Sequence, residues 1–239
     1  MAKPVKYQPT LSASDVVDGM NAALRNARRL AADAKLLLIA DRWPTAVSLA
    51  ILSLEEAGKV GVLRYLSIAV DLAASKAKWG DYRSHQAKLK HPIGINPEGK
   101  SLADPATWAG VGRAHAELVA SLDRLKQAGF YTDCVPSDGR QPIWTEPACH
   151  FTEKQAREAV ECAIMASSKP DVSLRDIELL VEHVGPVYGT IGIMDGWRAW
   201  LAAMEVEGLL HTTREDLEDQ MLDRFVEKNW RDGSESWRS

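Results

Sequence analysis

The chain has 239 residues, 46% of them hydrophobic and only 7% aromatic, with 29 Lys/Arg against 33 Asp/Glu for a net charge of −4. That is long enough to bury a core without metal or disulfide support. The acidic balance argues against loose, charge-driven nucleic-acid binding by the chain as a whole. No run of roughly 18 uncharged apolar residues occurs, so no membrane span is expected. No apolar segment follows the lysines of Met1–Gln8, so no secretory signal is expected either. Cys134, Cys149 and Cys162 are odd in number and form no Cys-x-x-Cys. A disulfide framework is not expected, and a reducing cytoplasm fits.

Ala and Leu dominate the apolar set and favour helix over strand. A first helix is predicted from Ser14 and Asp15 to about Ala40, with apolar residues recurring at three and four from Val17 through Met20, Leu24, Leu30 and Leu37. Asp41-Arg42-Trp43-Pro44 interrupts it, and Pro44 suits the first turn of a second helix running to about Ala73. A third helix is predicted over 78–90, stopping before Pro92. A Pro/Gly loop follows over 92–106. A fourth helix is expected from about Trp108 to Ala128, ended by Gly129. Residues 131–150, with Pro136, Gly139, Pro142 and Pro147, read as a hairpin or an ordered loop.

Beyond these, Thr152 and Gln155 form a capping box for a helix over 153–168. Ser173 can cap 174–184, a further helix covers about 191–208, and Thr213 can cap 214–229. The short apolar piece near Val187–Ile193 is ambiguous between strand and helix. The tail after Trp230 reads as disordered. The pattern is all-α, with one helical domain over 13–168 and further helices over 169–230 packed on it. Charge divides the same way: residues 1–130 carry 18 Lys/Arg and 12 Asp/Glu, residues 131–239 carry 11 and 21.

Two segments carry candidate chemistry. Residues 49–59 read Leu-Ala-Ile-Leu-Ser-Leu-Glu-Glu-Ala-Gly-Lys. Glu55 and Lys59 are four apart on one helix face, which by itself describes an ordinary surface pair. Both adjoin the apolar stripe, however, and suggest a half-buried polar row. In residues 79–89, Arg83, His85 and Lys88 sit in a stretch from Lys76 to Lys90 with five Lys/Arg and one Asp. Histidine moves protons near neutral pH, and the cations can hold a phosphodiester's charge. The plain alternative is a basic surface helix with a stray histidine.

Weaker patterns resolve to packing. Gly189, Gly192 and Gly196 lack dinucleotide-fingerprint spacing. Cys149, His150, Cys162 and His183 lack zinc-site spacing, so no metal and no cofactor are expected. Trp197 and Trp200 share a helix face that suits a core or a dimer interface.

Taken as an ordered set, these pieces resemble a known family. Asn26-Ala27 and Asp33-Ala34 precede Leu49–Lys59. Trp-x-x-Tyr-Arg-x-His-x-x-Lys-Leu follows at Trp79–Leu89, then Leu-Lys-Gln-x-Gly-Phe-Tyr-x-Asp at Leu125–Asp133, then Trp144 and Pro147. Over roughly residues 20–165 the chain is similar to the AbiV type of abortive-infection protein, within the HEPN group. The resemblance implies a HEPN-like helical bundle with additional C-terminal helices, a homodimer, and arrest of host growth or translation during phage infection. It implies an RNA or ribosome-associated target and a phage protein as activator; the cysteine usage and the lack of a membrane span add the expectation of a cytoplasmic protein without a membrane partner.

Many HEPN proteins are metal-independent ribonucleases with Arg and His four to six residues apart. Here one residue separates Arg83 from His85, seven separate Arg83 from His91, and Arg113 and His115 are again too close. Two function classes therefore stand. The first is an RNA-directed effector using His85 for proton transfer and Arg83 and Lys88 for phosphate charge, oriented by Glu55, Glu56 and Lys59. The second is a non-enzymatic, dimeric protein-binding effector or scaffold. The acidic second half would serve either as a docking or restraining surface.

Overall fold

A computed structural model describes residues 11–69, 72–89, 119–137, 140–211, 213, 214 and 217. Among the described residues the fold is all-α but for one hairpin. Helix α1 spans Ala13–Ile39 and α2 spans Trp43–Ser67. The start of α1 is fixed by Ser12. Its hydroxyl accepts from the Asp15 backbone N–H, and the Asp15 carboxylate accepts from the Ser12 N–H at 3.0 Å. The Ser12 hydroxyl also donates to that carboxylate at 2.6 Å, and this bond first, with the Ser12 N–H second, holds the exposed Asp15 carboxyl below its usual range. At the other end Asp41 turns the chain with φ 57°, and Pro44 sits in the first turn of α2. The two helices run antiparallel, since Ser53 donates to the Ala27 carbonyl at 2.7 Å and Gly19 faces Leu63.

The predicted second and third helices divide differently. Helix α2 stops at Ser67, whose hydroxyl bonds the Arg64 carbonyl and competes with continuation of the ladder. Helix α3 then spans Leu72–Arg83 and α4 spans His85–Leu89. Ser84 separates them because its hydroxyl accepts from the Ala87 N–H, an N-cap in the middle of the expected helix. Residues 90–118, and with them the expected loop and the start of the fourth helix, lie outside the described residues. So do the tail and almost all of the helix expected over 214–229.

Helix α5 is described over 119–130. It runs through Gly129, which was expected to end it. Gly129 serves close packing instead, because a Cβ there would overlap the Ser48 hydroxyl and the Pro44 carbonyl. The hairpin that follows pairs β1 (Asp133–Ser137) with β2 (Arg140–Thr145) antiparallel, Cys134 opposite Trp144 and Val135 opposite Ile143. After a 3-10 turn at Pro147–Cys149 come α6 (Glu153–Ser167), with the Thr152–Gln155 capping box, and α7 (Leu174–His183), capped by Ser173. The ambiguous apolar piece forms no strand. It makes a 3-10 turn at Gly185–Val187 and leads through Gly189, with φ 80°, to α8 (Ile193–Val206).

Two apolar clusters stack along the α1–α2 pair. One joins the C-terminal half of α1 and the N-terminal half of α2 to Leu89, Val119, Phe151 and the Ala156–Val160–Ala163 stripe of α6. The other joins Val16, Met20 and Leu63 to Ile177, Leu180 and Val184 at α7 and to Trp200 and Leu201 of α8. Gly196 lets α8 approach the preceding turn, since a Cβ there would strike the Val187 side chain and the His183 carbonyl. Trp200 and Trp197 meet edge to face, and Trp197 also meets Tyr65. No helix among the described residues is long and apolar enough to cross a membrane.

Gly129→Ala is expected to overpack the α5–α2 contact and cost about 1–3 kcal/mol. Urea unfolding of the two proteins measures this, and an unchanged midpoint would show that α5 does not approach Pro44 as described.

Candidate functional site

Helix α2 is the central element, buried nearly all round, so its few inward polar side chains need partners. Ser48 donates to the Lys126 carbonyl at 2.9 Å, and Ser53 is bound to Ala27. The third is Glu55, whose side chain is 3% exposed. Leaving its carboxylate unpaired in the core would be strongly unfavourable.

Among the described residues, three cationic or protonatable groups meet it. Lys126 of α5, 4% exposed, holds Oε1 at 2.6 Å and also bonds Asp123 at 2.9 Å. His85, the first residue of α4, places Nδ1 2.6 Å from Oε2. The Lys88 ammonium lies 3.7 Å from the same oxygen. The expected neighbourhood of the Glu55–Lys59 and His85–Lys88 segments is thus present, with α4 folded onto α2 by the Ser84 break and anchored by buried Leu89.

The individual residues occupy different positions. His85 has a side chain 57% exposed. A carboxylate on Nδ1 favours the tautomer with hydrogen there, so Nε2 is left as an open acceptor toward solvent. Lys88 turns inward and is buried rather than facing a phosphate. Arg83 ends α3 in an exposed position and makes no ion pair among the described residues. Lys59 pairs with Glu56 at 2.7 Å, not with Glu55, and lies over the Tyr82 ring.

Lys126 and Asp123 were not singled out by sequence reasoning. The available signal was a Lys three residues after an Asp, each directly following a leucine, Leu122 and Leu125.

Electrostatics separates the two buried lysines. Burial pushes the Lys88 ammonium below its ordinary 10.5, with Glu55 only partly opposing it. Burial opposes the Lys126 charge too, but hydrogen bonds to Glu55 and Asp123 outweigh it and hold Lys126 above 10.5. A raised lysine contributes stability that is fully present below pH 10.5 and is lost as pH climbs through the raised value.

Glu55→Gln keeps the shape and removes the charge that Lys126 needs. It is expected to cost about 3–5 kcal/mol at neutral pH, as for a broken buried pair. It should also shift His85 away from the Nδ1–H tautomer in ¹⁵N NMR. A variant with wild-type stability and an unchanged His85 spectrum would remove Glu55 from its organising role.

The family model HEPN_AbiV, described as AbiV, matches residues 15–166. No curated protein and no solved structure matches the chain. The matched span opens in α1 and closes in α6, and it contains Glu55, His85, Lys88 and Lys126. The chain therefore belongs to the AbiV family of HEPN proteins, a family of abortive-infection, phage-defence proteins.

Proposed function

We propose that this AbiV-family protein arrests its host during phage infection by acting on RNA at His85, as a metal-independent ribonuclease working in the cytoplasm. The observation that carries the reading is the Glu55–His85 contact of 2.6 Å, in which a buried carboxylate holds Nδ1 of an imidazole whose side chain is 57% exposed. In that role Nε2 takes the proton of a ribose 2′-hydroxyl. The freed oxygen attacks the adjacent phosphorus, and the bond from phosphorus to the 5′-oxygen breaks. Water protonates that oxygen, and His85 returns its proton to solvent. Arg83, exposed two residues away, supplies charge to the phosphate. Lys88 acts through Glu55, by holding the carboxylate, rather than on the substrate.

Expression of wild type and His85→Ala in a bacterial host, scoring growth and RNA integrity together, tests this. Loss of proton transfer should slow cleavage about 10²–10⁴-fold and relieve the arrest. Full arrest with full cleavage in the variant would remove His85 from catalysis.

A second reading is a protein-binding effector or scaffold activated by a phage protein. Two observations favour it. The inward turn of Lys88 makes much of the cluster a structural pin. The β1–β2 hairpin also leaves Ile143 53% and Trp144 75% exposed. Arrest by His85→Ala with intact RNA selects this reading. Either reading includes a homodimer, which light scattering at micromolar concentration should report at twice the chain mass; a monomer mass counts against it.

A further inference from the structure

Helix α3 has two unlike faces. On one, Lys78 is half-buried, bonded to Asp81 at 3.1 Å and set over the Tyr65 ring. On that side too, Tyr82 packs against Trp79 and under Lys59. These groups are satisfied within the protein. The other face holds Lys76, Gly80 and Arg83, spaced four and three apart and therefore in one row. All three are exposed. Neither Lys76 nor Arg83 makes an ion pair among the described residues, and the acid of this helix, Asp81, is engaged by Lys78 on the other side. At Gly80 the surface is bare, since an added Cβ would meet nothing within 4 Å.

We propose that the Lys76–Gly80–Arg83 row is a binding track for the sugar-phosphate backbone of single-stranded RNA, leading the strand to His85. The inference rests on the RNA reading above and names how the substrate is held. Seven residues of helix separate the two cations by roughly 10 Å, about two links of an extended single strand. Gly80 between them presents no side chain, so a backbone can lie close to the helix. The track ends at Arg83, two residues before the histidine whose side chain is 57% exposed. The neighbouring acids on the elements packed here are taken up: Glu56 by Lys59, and Glu55 by Lys126 and His85. A polyanion following this row therefore meets no free carboxylate among the described residues of α3 and α4.

Gly80 makes the test independent of folding. Gly80→Glu puts an acid into open space and, by replacing a helical glycine, should leave stability equal or improved. Binding of a fluorescein-labelled single-stranded RNA of about ten nucleotides to the full-length protein is followed by anisotropy across a salt series. Gly80→Glu should weaken binding several-fold, while Gly80→Gln stays near wild type. Lys76→Ala with Arg83→Ala should weaken binding and flatten the slope of log affinity against log salt by about 1.4, the value for two lost contacts to a single strand.

Cleavage is scored separately with His85→Ala, so the track and the chemistry are read from different variants. If Gly80→Glu and the double variant bind like wild type, the track is wrong even where His85→Ala abolishes cleavage. If the wild type binds no RNA at about 50 mM salt, the track and the RNA reading both fall.

Discussion

A carboxylate placed in the middle of a helical bundle has few tolerable arrangements. Glu55 sits on the most buried helix among the described residues, where an isolated charge would be destabilising by several kcal/mol. Its two oxygens are therefore bound in opposite directions, one toward α5 through Lys126 and the other toward α4 through His85 and Lys88. Helix α4 has only five residues and could not hold a position by its own ladder. The Glu55 charge, with Leu89 in the core beneath, decides where it lies. The open nitrogen of His85 is a consequence of that arrangement.

Much of the bundle could be read from residue spacing. The apolar stripe of α1, the Thr152–Gln155 box and the Ser173 cap describe local physics, and local physics does not change on folding. Two of the errors lay at Ser67 and Ser84. Each sits in a plausible helical pattern, and each diverts a backbone group to its own hydroxyl. Periodicity does not register that competition.

The site was legible in part. Glu55, His85 and Lys88 were readable as polar residues beside an apolar stripe. Lys59 was assigned to Glu55 by its spacing, but spacing of three and of four are both open to a helical lysine, and burial awarded it to Glu56. Lys126 lies 71 positions from Glu55, and no helical period links them. Only the closure of α5 against α2, permitted by Gly129, brings the pair together.

The segment between α6 and α7 reads in sequence as a joint, with Lys169-Pro170 at its centre. In the fold it is lashed to the middle of α1. Asn21 offers its amide to the backbone of Val172 from both sides, at 2.8 and 2.9 Å, in the manner of a sheet partner. Arg28 spans the carbonyls of Ser167 and Lys169 and the Asp171 carboxylate. One continuous helix thus carries both the seam between the two apolar clusters and the crossing strand that joins them. Heat or denaturant should find no separable half: α6 and α7 would melt together with α1 in a single cooperative transition.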